Sequence, residues 1–317
     1  MSERGQDPLG VLLMTYGSPD GPDDMPRYLA AVRGGRDASD ELVIEFRRRY
    51  EAIGGSPLIP ITQAQAAAVE DHLRNEGVNA RVSAAMRFSE PSISRELAKL
   101  VEAGARSVVG VVMSPQQSSM LMGGYATALR NAADAAEPTP WVTVAPAWYR
   151  EAGFLDAVAD RIRAGLDSLG PHQRETAPVL LTAHSLPRRV AEAEPQYLDQ
   201  LRETAALVAR RAALAPERWS FCWQSAGHEP GEWMKPDFAD LLPELQRAGH
   251  RSVLVAPIQF LADHLEVLYD LDIGAREQAE AHGISFTRIE SLNVHPSFIA
   301  ALAAVVTHAS AEVRALA

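Results

Sequence analysis

Two features of the sequence predict an α/β fold with two related lobes. Short apolar runs alternate with longer helical stretches, and part of the chain repeats itself. Apolar runs that alternate with helices are typical of strands in a parallel sheet that is covered on both faces. The predicted strands are residues 11–15, 80–84, 107–113, 141–147, 178–182, 219–223, 252–257 and 285–289.

The stretches between these runs are rich in Ala, Leu and Glu at helical spacing. Several of them end in glycine, which readily adopts the left-handed conformation that closes a helix. We therefore expect each lobe to be a mainly parallel four-stranded sheet flanked by helices. The glycines that mark these ends are Gly77, Gly104, Gly249 and Gly283.

The repeat consists of two pairs of short segments in the same order. Residues 11–19 (VLLMTYGSP) match residues 179–187 (VLLTAHSLP), and residues 103–108 (AGARSV) match residues 248–253 (AGHRSV). The segments are short, so a chance match is the alternative. Taken together they predict two related lobes with a boundary near residues 150–175. The spacing of the pairs places additional residues in the first half, which we assign to residues 20–62.

Composition limits the functional classes. A net charge of −11 argues against a general nucleic-acid binder, which needs a basic face. The single cysteine, Cys222, excludes an intramolecular disulfide framework and an iron–sulfur cluster held by several thiolates of this chain. Cys222 is interpreted as a small core residue in a strand. The N-terminal residues are polar and the apolar stretches are too short to cross a bilayer, so we expect a soluble, cytoplasmic protein without membrane insertion.

His184 is the histidine most suited to chemistry. It ends a predicted buried strand, and a Ser-Leu-Pro turn follows it. Tyr16 occupies the equivalent position in the first lobe. Ligands of open α/β sheets bind beyond the carboxyl ends of the strands, so these two side chains are expected at opposite faces of a flat ligand in a cleft between the lobes. A histidine satisfied in the core is the alternative for His184.

A second candidate group is the segment DHLEVLYDLD at residues 263–272. Glu266 and Asp270 are four residues apart, so a helix would place both carboxylates on one face about one turn apart. Such a ladder suits a hydrated ferrous ion that is bound weakly and passed on. An ordinary acidic first turn of a helix is the alternative.

A third group is basic. Arg33 and Arg36 precede an Arg-Arg-Arg-Tyr run at residues 47–50, and a Gly-Gly-Ser-Pro turn follows. Guanidinium groups bind carboxylates through two hydrogen bonds, and Tyr50 and Ser56 add hydroxyl groups. These residues are therefore candidates for binding an acidic ligand. The alternative is a solvated basic helix face.

Taken together, seven segments resemble the ferrochelatase family and run in the family's order along nearly the whole chain. They are residues 12–19 (LLMTYGSP), 48–58 (RRYEAIGGSPL), 114–119 (SPQQSS), 180–187 (LLTAHSLP), 222–227 (CWQSAG), 260–273 (FLADHLEVLYDLDI) and 290–296 (ESLNVHP).

The resemblance implies two Rossmann-like lobes, residues 1–160 and 161–317, with a porphyrin in the cleft between them. By position it implies His184 and Glu266 as catalytic residues and metal ligands, with Asp270 as a further metal candidate. The porphyrin-binding positions carried over from bacterial members of the family are Tyr16, Arg33, Arg49, Tyr50, Ser56 and Tyr125.

Three departures from the family pattern stand out. Some members extend the acidic ladder by a further turn, where this chain has Gly274, which puts an outer magnesium site in question. Some members hold an iron–sulfur cluster with cysteines, which Cys222 alone cannot do. The segment Glu-Pro-Gln-Tyr at residues 194–197 replaces the more common Gly-Asp-Pro-Tyr, which predicts a local change in a loop.

The implied reaction is insertion of ferrous iron, a substrate, into a porphyrin by a monomer without an organic cofactor. Coproporphyrin III is favoured over protoporphyrin IX because the segment at residues 17–46 is short and polar, several arginines lie close together, and the Thr-Tyr-Gly turn at Tyr16 resembles members from Gram-positive bacteria. The alternatives are a protoporphyrin IX ferrochelatase, a cobalt or nickel chelatase, and a non-catalytic haem or porphyrin carrier with Tyr16 as axial ligand.

Overall fold

A computed structural model describes residues 7–227 and 231–316, with side chains up to residue 311. The chain forms two compact units. The first contains Met1–Pro115, Ser119–Trp148 and Asn293–Ala317, and the second contains Gln116–Ser118 and Tyr149–Leu292. The expected boundary at residue 160 instead falls inside a helix of the second unit, Ala152–Asp167.

The first unit is built on a four-stranded parallel sheet. Its strands run in the order β2-β1-β3-β4, and Leu9 of β1 pairs with both Ala80 and Ser107. The bounds are β1 Leu9–Thr15, β2 Ala80–Met86, β3 Ser107–Val112 and β4 Trp141–Val144. Its helices are α1 Met25–Val32, α2 Asp40–Ala52, α3 Leu58–Asn75, α4 Ile93–Glu102 and α5 Ser119–Asp134, and a 3₁₀ turn spans Pro22–Asp24.

The second unit has the same strand order, β6-β5-β7-β8, and again all its pairs are parallel. This shared order confirms the fold predicted from the repeat, since β1 corresponds to β5 and β3 to β7. The strands are β5 Val179–His184, β6 Trp219–Gln224, β7 Ser252–Pro257 and β8 Ser285–Arg288. The helices are α6 Ala152–Asp167, α7 Pro171–Thr176, α8 Arg188–Ala193, α9 Pro195–Arg211, α10 Phe238–Arg247 and α11 Arg276–Ala281, with a 3₁₀ turn at Pro216–Arg218.

The central strands are buried along their length because helices cover both faces of each sheet. In the first unit Leu12, Met14 and Val108 pack against α4 and α5. In the second unit Leu180 and Val253 belong to a cluster with residues of α10 and α11. Cys222 is fully buried in β6, as the sequence predicted.

The additional residues of the first half fold into α1 and α2, within the range 20–62 to which they were assigned. The two helices pack on each other through a small cluster that includes Met25, Leu29 and Val43. The insertion therefore has an apolar core of its own beside the sheet of the first unit.

The last helix, α12 (Pro296–Leu316), belongs to the first unit although the sequence placed it in the second lobe. It packs on α3, β3 and β4, and its apolar residues Phe298, Leu302 and Val306 are fully buried. An apolar helix is stable where it covers an open sheet face, and here it covers a face of the first sheet. None of the helices in the described part of the chain is long and apolar enough to span a membrane.

The helix expected after Asp263 is a π-helix. It spans Glu266–Ala275, and its hydrogen bonds connect residues five apart instead of four. It continues directly into α11. A π-helix of this length is rare, and π-helical turns occur frequently at functional sites.

Candidate active site

His184 is the last residue of β5, and its ring is held in one orientation. The Nδ1 atom donates a hydrogen bond of 2.6 Å to the carbonyl of Ser185, and the backbone N–H of His184 donates one of 2.9 Å to Oε1 of Gln259. Because Nδ1 carries the proton of the neutral ring, Nε2 is left with a free lone pair. The side chain is 27% exposed. His184 can therefore accept a proton or bind a metal through Nε2.

Glu266 lies next to this lone pair. Its Oε1 atom is 3.8 Å from Nε2 of His184, and the Glu266 side chain is 40% exposed. The separation is too long for a hydrogen bond. A metal ion at about 2.0–2.2 Å from each atom fits between them. The predicted pair of His184 and Glu266 is thus brought together at the exposed end of the second sheet.

A second imidazole approaches Glu266 from its other oxygen. Nε2 of His264 lies 3.6 Å from Oε2 of Glu266, and Nδ1 of His264 donates to the carbonyl of Ala262 at 2.9 Å. The ring of Phe260 packs edge-on against His264 at 4.6 Å and faces His184 at 6.4 Å. The sequence pattern included His264 only as part of the segment around Glu266 and did not predict it as a site residue. Its position two residues before Glu266 was the one signal that could have identified it.

These contacts determine the charge of Glu266. Burial alone would raise the pKa of its carboxyl, but the positive charges that His184 and His264 carry when protonated lower it to about 2. Burial likewise would lower the pKa of His264, whereas Glu266 raises it above its ordinary value. Glu266 is therefore an anion at neutral pH, and solvent reaches it from one side.

The site is open, unlike a structural metal centre. Among the side chains that the structure describes, those of residues 7–227 and 231–311, no three from His, Cys, Asp or Glu are grouped closely enough to hold a metal ion together. A closed structural site normally supplies four protein ligands. A histidine and a carboxylate alone suit an ion that arrives, is held briefly and leaves.

Asp270 follows Glu266 by four residues on the π-helix and is partly exposed. Its charge contributes to the raised pKa of His264, so it acts on the same group of residues. Gly274 is four residues further and offers no side chain. A Cβ atom at this position would lie 3.8 Å from the carbonyl oxygen of Tyr269, its nearest neighbour, so there is room for a side chain.

Hydrogen bonds behind His184 support its strand end. Gln259 donates from Nε2 to the hydroxyl of Tyr197, which is fully buried in α9 and has a pKa raised by that burial. Ser185 donates its N–H to the carbonyl of Gln224 at 2.7 Å. The expected loop change at residues 194–197 is a helix start, since Pro195 begins α9.

In the first unit, Tyr16 follows β1 and is 43% exposed. Its ring meets Phe88 edge-on with centroids 4.6 Å apart, and its carbonyl accepts a hydrogen bond of 3.1 Å from the N–H of Phe88. Arg87 lies against this group, with its guanidinium 4.7 Å from the Phe88 ring and 5.2 Å from the Tyr125 ring. Gly124 permits this approach, because any Cβ there would collide with the guanidinium.

Tyr125 was predicted as a porphyrin-binding position, and it is buried beside Arg87. Burial raises the pKa of its hydroxyl, and so the group stays neutral as a hydrogen-bond donor. Arg87 is a candidate that sequence reasoning missed. One stacking partner, Phe88, is its neighbour in sequence, but the other, Tyr125, is distant in the chain, so no local pattern indicated this role.

The basic segment is partly paired within itself. Glu45 accepts hydrogen bonds from Arg49 at 2.8 Å and from Arg48 at 3.0 Å, and these bonds lower the pKa of Glu45 to about 2. Arg47 donates to the carbonyl of Pro22. An acidic ligand would therefore compete with Glu45 for Arg48 and Arg49.

The remaining predicted positions lie near the ends of α1 and α2. Arg33 caps the end of α1, and Nε of Arg36 donates to its carbonyl. Tyr50 lies in the last turn of α2. Ser56 follows Gly54 and Gly55, whose φ angles of 71° and 94° make the turn into α3. Its hydroxyl accepts a hydrogen bond of 3.4 Å from the N–H of Leu58.

A family model described as ferrochelatase matches residues 8–310. Among similar proteins, a ferrochelatase of Deinococcus radiodurans is 37% identical over 97% of this chain and 98% of its own length. Coproporphyrin III ferrochelatases of Geobacillus kaustophilus and Bacillus subtilis are 36% and 35% identical, over 96% and 94% of this chain and 96% of each relative.

Solved structures resemble the fold at low sequence identity. SirB from Bacillus subtilis, described with Fe³⁺, has a TM-score of 0.60 at 14% identity, over 97% of this chain and 98% of its own. CbiX, described as the terminal enzyme for biosynthesis of siroheme in denitrifying bacteria, has a TM-score of 0.54 at 15% identity, over 95% and 99%. At this identity the likeness concerns the fold alone.

Proposed function

We propose, since the chain belongs to the ferrochelatase family, that it inserts ferrous iron into coproporphyrin III to give coproheme in haem biosynthesis. The observation that carries the proposal is the pairing of His184 with Glu266 at 3.8 Å, with a carboxylate that remains ionised at neutral pH. Imidazole nitrogen and carboxylate oxygen are both suitable ligands for a divalent iron ion.

The proposed reaction balances without a redox partner. Ferrous iron enters the ring as the two pyrrole N–H groups lose their protons, and the iron stays divalent. Nε2 of His184 has the free lone pair needed to accept one of these protons or to bind the incoming ion, and both protons finally pass to solvent. Glu266 supplies the negative charge that holds iron beside that atom, and Asp270 is the next carboxylate along the helix. No electrons are transferred, and we propose that the reaction uses no organic cofactor.

In the first unit, we assign Tyr16, Tyr125, Arg33 and Arg49 to the porphyrin. Tyr16 offers an exposed aromatic ring, and Tyr125 a neutral hydroxyl. Arg33, Arg49, Tyr50 and Ser56 are proposed to bind propionates, as the family positions imply. Arg87 joins this group, because its stacked guanidinium lies beside Tyr125.

Coproporphyrin III carries four propionates and protoporphyrin IX carries two. A chain with several cations among its proposed porphyrin-binding residues gains more from the substrate with more carboxylates, since hydrogen bonds to charged groups contribute about 1.5–3 kcal/mol each. Similar proteins named coproporphyrin III ferrochelatase support the same choice. The pairing of Arg48 and Arg49 with Glu45 reduces this gain, because a propionate must displace Glu45 or share the two arginines with it.

The decisive experiment mixes the purified protein with porphyrin and anaerobic Fe²⁺ and follows the absorption change of metallation. We expect a higher kcat/KM for coproporphyrin III than for protoporphyrin IX in detergent. Equal efficiency, or a preference for protoporphyrin, would contradict the substrate assignment and leave iron insertion intact. Tight porphyrin binding without metallation would identify a carrier. A higher rate with Co²⁺ or Ni²⁺ than with Fe²⁺ would identify a different chelatase.

The expectations of a monomer and of a cytoplasmic location stay predictions. Size-exclusion chromatography with light scattering tests the first, and cell fractionation tests the second. An oligomer would leave the proposed chemistry unchanged, because His184 and Glu266 come from the same unit of one chain.

A further inference from the structure

A largely buried ion pair joins β8 to the π-helix that carries Glu266. Arg288 is at the end of β8, and its side chain is only 12% exposed. Its guanidinium binds the carboxylate of Asp272 in the π-helix through two hydrogen bonds. Nε donates to Oδ1 at 2.7 Å and Nη2 donates to Oδ2 at 2.8 Å. Two parallel bonds of this kind define direction as well as distance.

The same guanidinium also holds the turn that precedes the π-helix. Its Nη2 atom is 3.4 Å from Oδ1 of Asp263, and its Nη1 atom donates to the hydroxyl of Ser291 at 3.3 Å. That hydroxyl in turn donates to Oδ1 of Asp263 at 2.7 Å. Asp263 comes directly before His264. Arg288 therefore contacts the chain both before Glu266, at Asp263, and after it, at Asp272.

A second arginine makes the reciprocal connection, from the helix to the strand. Arg276 follows the π-helix, and its Nη1 atom donates to the backbone carbonyl of Phe286 in β8 at 3.0 Å. Its Nε atom donates to the carbonyl of Asp272 at 3.0 Å, and the guanidinium lies 5.0 Å from the Phe286 ring. Both the end of the π-helix, through Arg276, and its middle, through Asp272, are therefore hydrogen-bonded to β8.

From this geometry we infer that Arg288 and Asp272 are positioning residues for the metal site and fix the register of the π-helix. A π-helix has one more residue in each hydrogen-bonded ring than an α-helix, so a change between the two rotates the start of the helix, with Glu266, relative to Asp272. The bidentate hydrogen bonds from Arg288 to Asp272, together with its contact with Asp263, select the register of the π-helix in which Glu266 lies between His184 and His264. The inference rests on the proposed function, since it concerns the site of metal delivery.

A purely structural ion pair is the competing explanation, and the two make different predictions. Replacing a buried ion pair by apolar residues of similar size often leaves stability unchanged or increases it. An apolar pair cannot reproduce two directional bonds together with a contact to Asp263. Under our inference, the apolar replacement keeps the fold and loses the metal site.

The test compares four variants with the wild-type chain. They are Arg288→Lys, Asp272→Asn, the double variant Arg288→Met with Asp272→Leu, and the control Arg161→Lys. Arg161 lies on α6 of the same unit and pairs with Glu290 rather than with an acidic residue of the π-helix, so it controls for the loss of a partly buried guanidinium. The measurements are kcat and KM for Fe²⁺, and for Zn²⁺ as a second metal, with coproporphyrin III, the porphyrin Kd by fluorescence quenching, and the Tm.

We expect the three variants at Arg288 and Asp272 to lower kcat/KM for the metal by roughly 10- to 100-fold, as is typical when a residue that orients a metal ligand is lost. The porphyrin Kd should stay within about twofold, and Arg161→Lys should match the wild type in every measurement. If a single variant fails to fold, the double variant decides, because its apolar pair preserves packing.

The inference is overturned if the double variant folds and metallates at the wild-type rate, or if porphyrin affinity and metal kinetics fall together with the Tm. A wild-type chain that binds porphyrin but inserts neither metal would instead overturn the proposed function. The two failures are thus separated by the wild-type measurement alone.

Discussion

Nε2 of His184 and Oε1 of Glu266 lie 3.8 Å apart, and the two residues come from the end of a parallel strand and the start of a π-helix. The strand holds the histidine rigidly, because it is paired with a neighbouring strand on each side. The glutamate is kept ionised by two imidazoles. The pair therefore combines an imidazole nitrogen with a carboxylate at a separation that one metal ion can span.

Replacement of His184 by alanine should abolish metal insertion and leave the porphyrin bound. We expect kcat to fall by roughly 10²- to 10⁴-fold, the contribution of a positioned proton acceptor. Porphyrin Kd, measured by fluorescence quenching, should change little because the cations assigned to the porphyrin lie in the first unit. His282→Ala, at a partly exposed histidine of the same unit, is the control. Metallation by His184→Ala near the wild-type rate would refute the assignment.

Glu266→Gln should be more damaging than Asp270→Asn. The first change removes the charge beside His184, and we expect a loss of at least about tenfold in kcat/KM for Fe²⁺, by comparison with residues that only orient ligands. Asp270 lies further along the helix, and the ladder ends at Gly274, so a smaller loss is expected there. Steady-state kinetics at varied Fe²⁺ compare the two. A larger loss for Asp270→Asn would reverse the proposed order of metal delivery.

Stability should depend on pH through Glu266. Its pKa is lowered from an ordinary 4.5 to about 2, so the unfolded chain binds the proton first as the solution is acidified. The stabilisation is complete above about pH 4.5 and is lost as the pH falls toward 2. Its size should be on the order of 1 kcal/mol, because the side chain is 40% exposed and solvent screens the charge.

Urea unfolding of the wild type and Glu266→Gln between pH 3 and pH 6 checks this dependence. We expect the difference in free energy of unfolding to shrink as the pH falls. A constant difference across this range would show that Glu266 has an ordinary pKa in the folded chain.

Glu45 should act as a competitor for the porphyrin's propionates. Because it holds both Arg48 and Arg49, Glu45→Gln should free these cations and lower the KM for coproporphyrin III. Arg49→Ala should raise the KM, by up to tenfold or so for the loss of one charge-assisted bond. Both effects should weaken at high salt. Lower affinity in Glu45→Gln would indicate that Glu45 orients the arginines rather than occupying them.

Gly274 offers a position for extending the acidic ladder. Gly274→Ala should stabilise the chain by roughly 0.5–1 kcal/mol, since glycine is unfavourable inside a helix and the site has room for Cβ. Gly274→Glu should give a similar Tm and also lower the KM for Fe²⁺. The alanine variant is its control for helix stability. An unchanged KM in Gly274→Glu would show that delivery ends at Asp270.

The strands and their pairing were accessible from the sequence because each is a short β-branched run bounded by helices. The repeat also predicted that β1 and β5 hold equivalent places. His184 and Glu266 could be identified because each stands at the boundary of such an element. These features depend on residues close together in the chain, which is where sequence patterns are informative.

Other features depend on contacts between distant residues. The choice of a π-helix over an α-helix involves Arg288, sixteen positions after Asp272, and no local pattern distinguishes the two helix types. Arg87 stacks on its neighbour Phe88 and also on Tyr125 of α5, which is 38 positions further along the chain. The pairing of Arg49 with Glu45 has the ordinary spacing of a helix, but whether the arginine faces a ligand or its neighbour is decided by packing.

The return of α12 to the first unit has a consequence for the order of synthesis. The ribosome releases Tyr149–Leu292 as one uninterrupted stretch, so the second unit can assemble while the chain is still growing. The first unit begins earlier and finishes later. Phe298, Leu302 and Val306 cover β3 and β4 only after the C-terminal segment has left the exit tunnel. Until then part of the sheet of the first unit stays uncovered. The first unit therefore begins to be synthesised before the second unit but completes its fold after it.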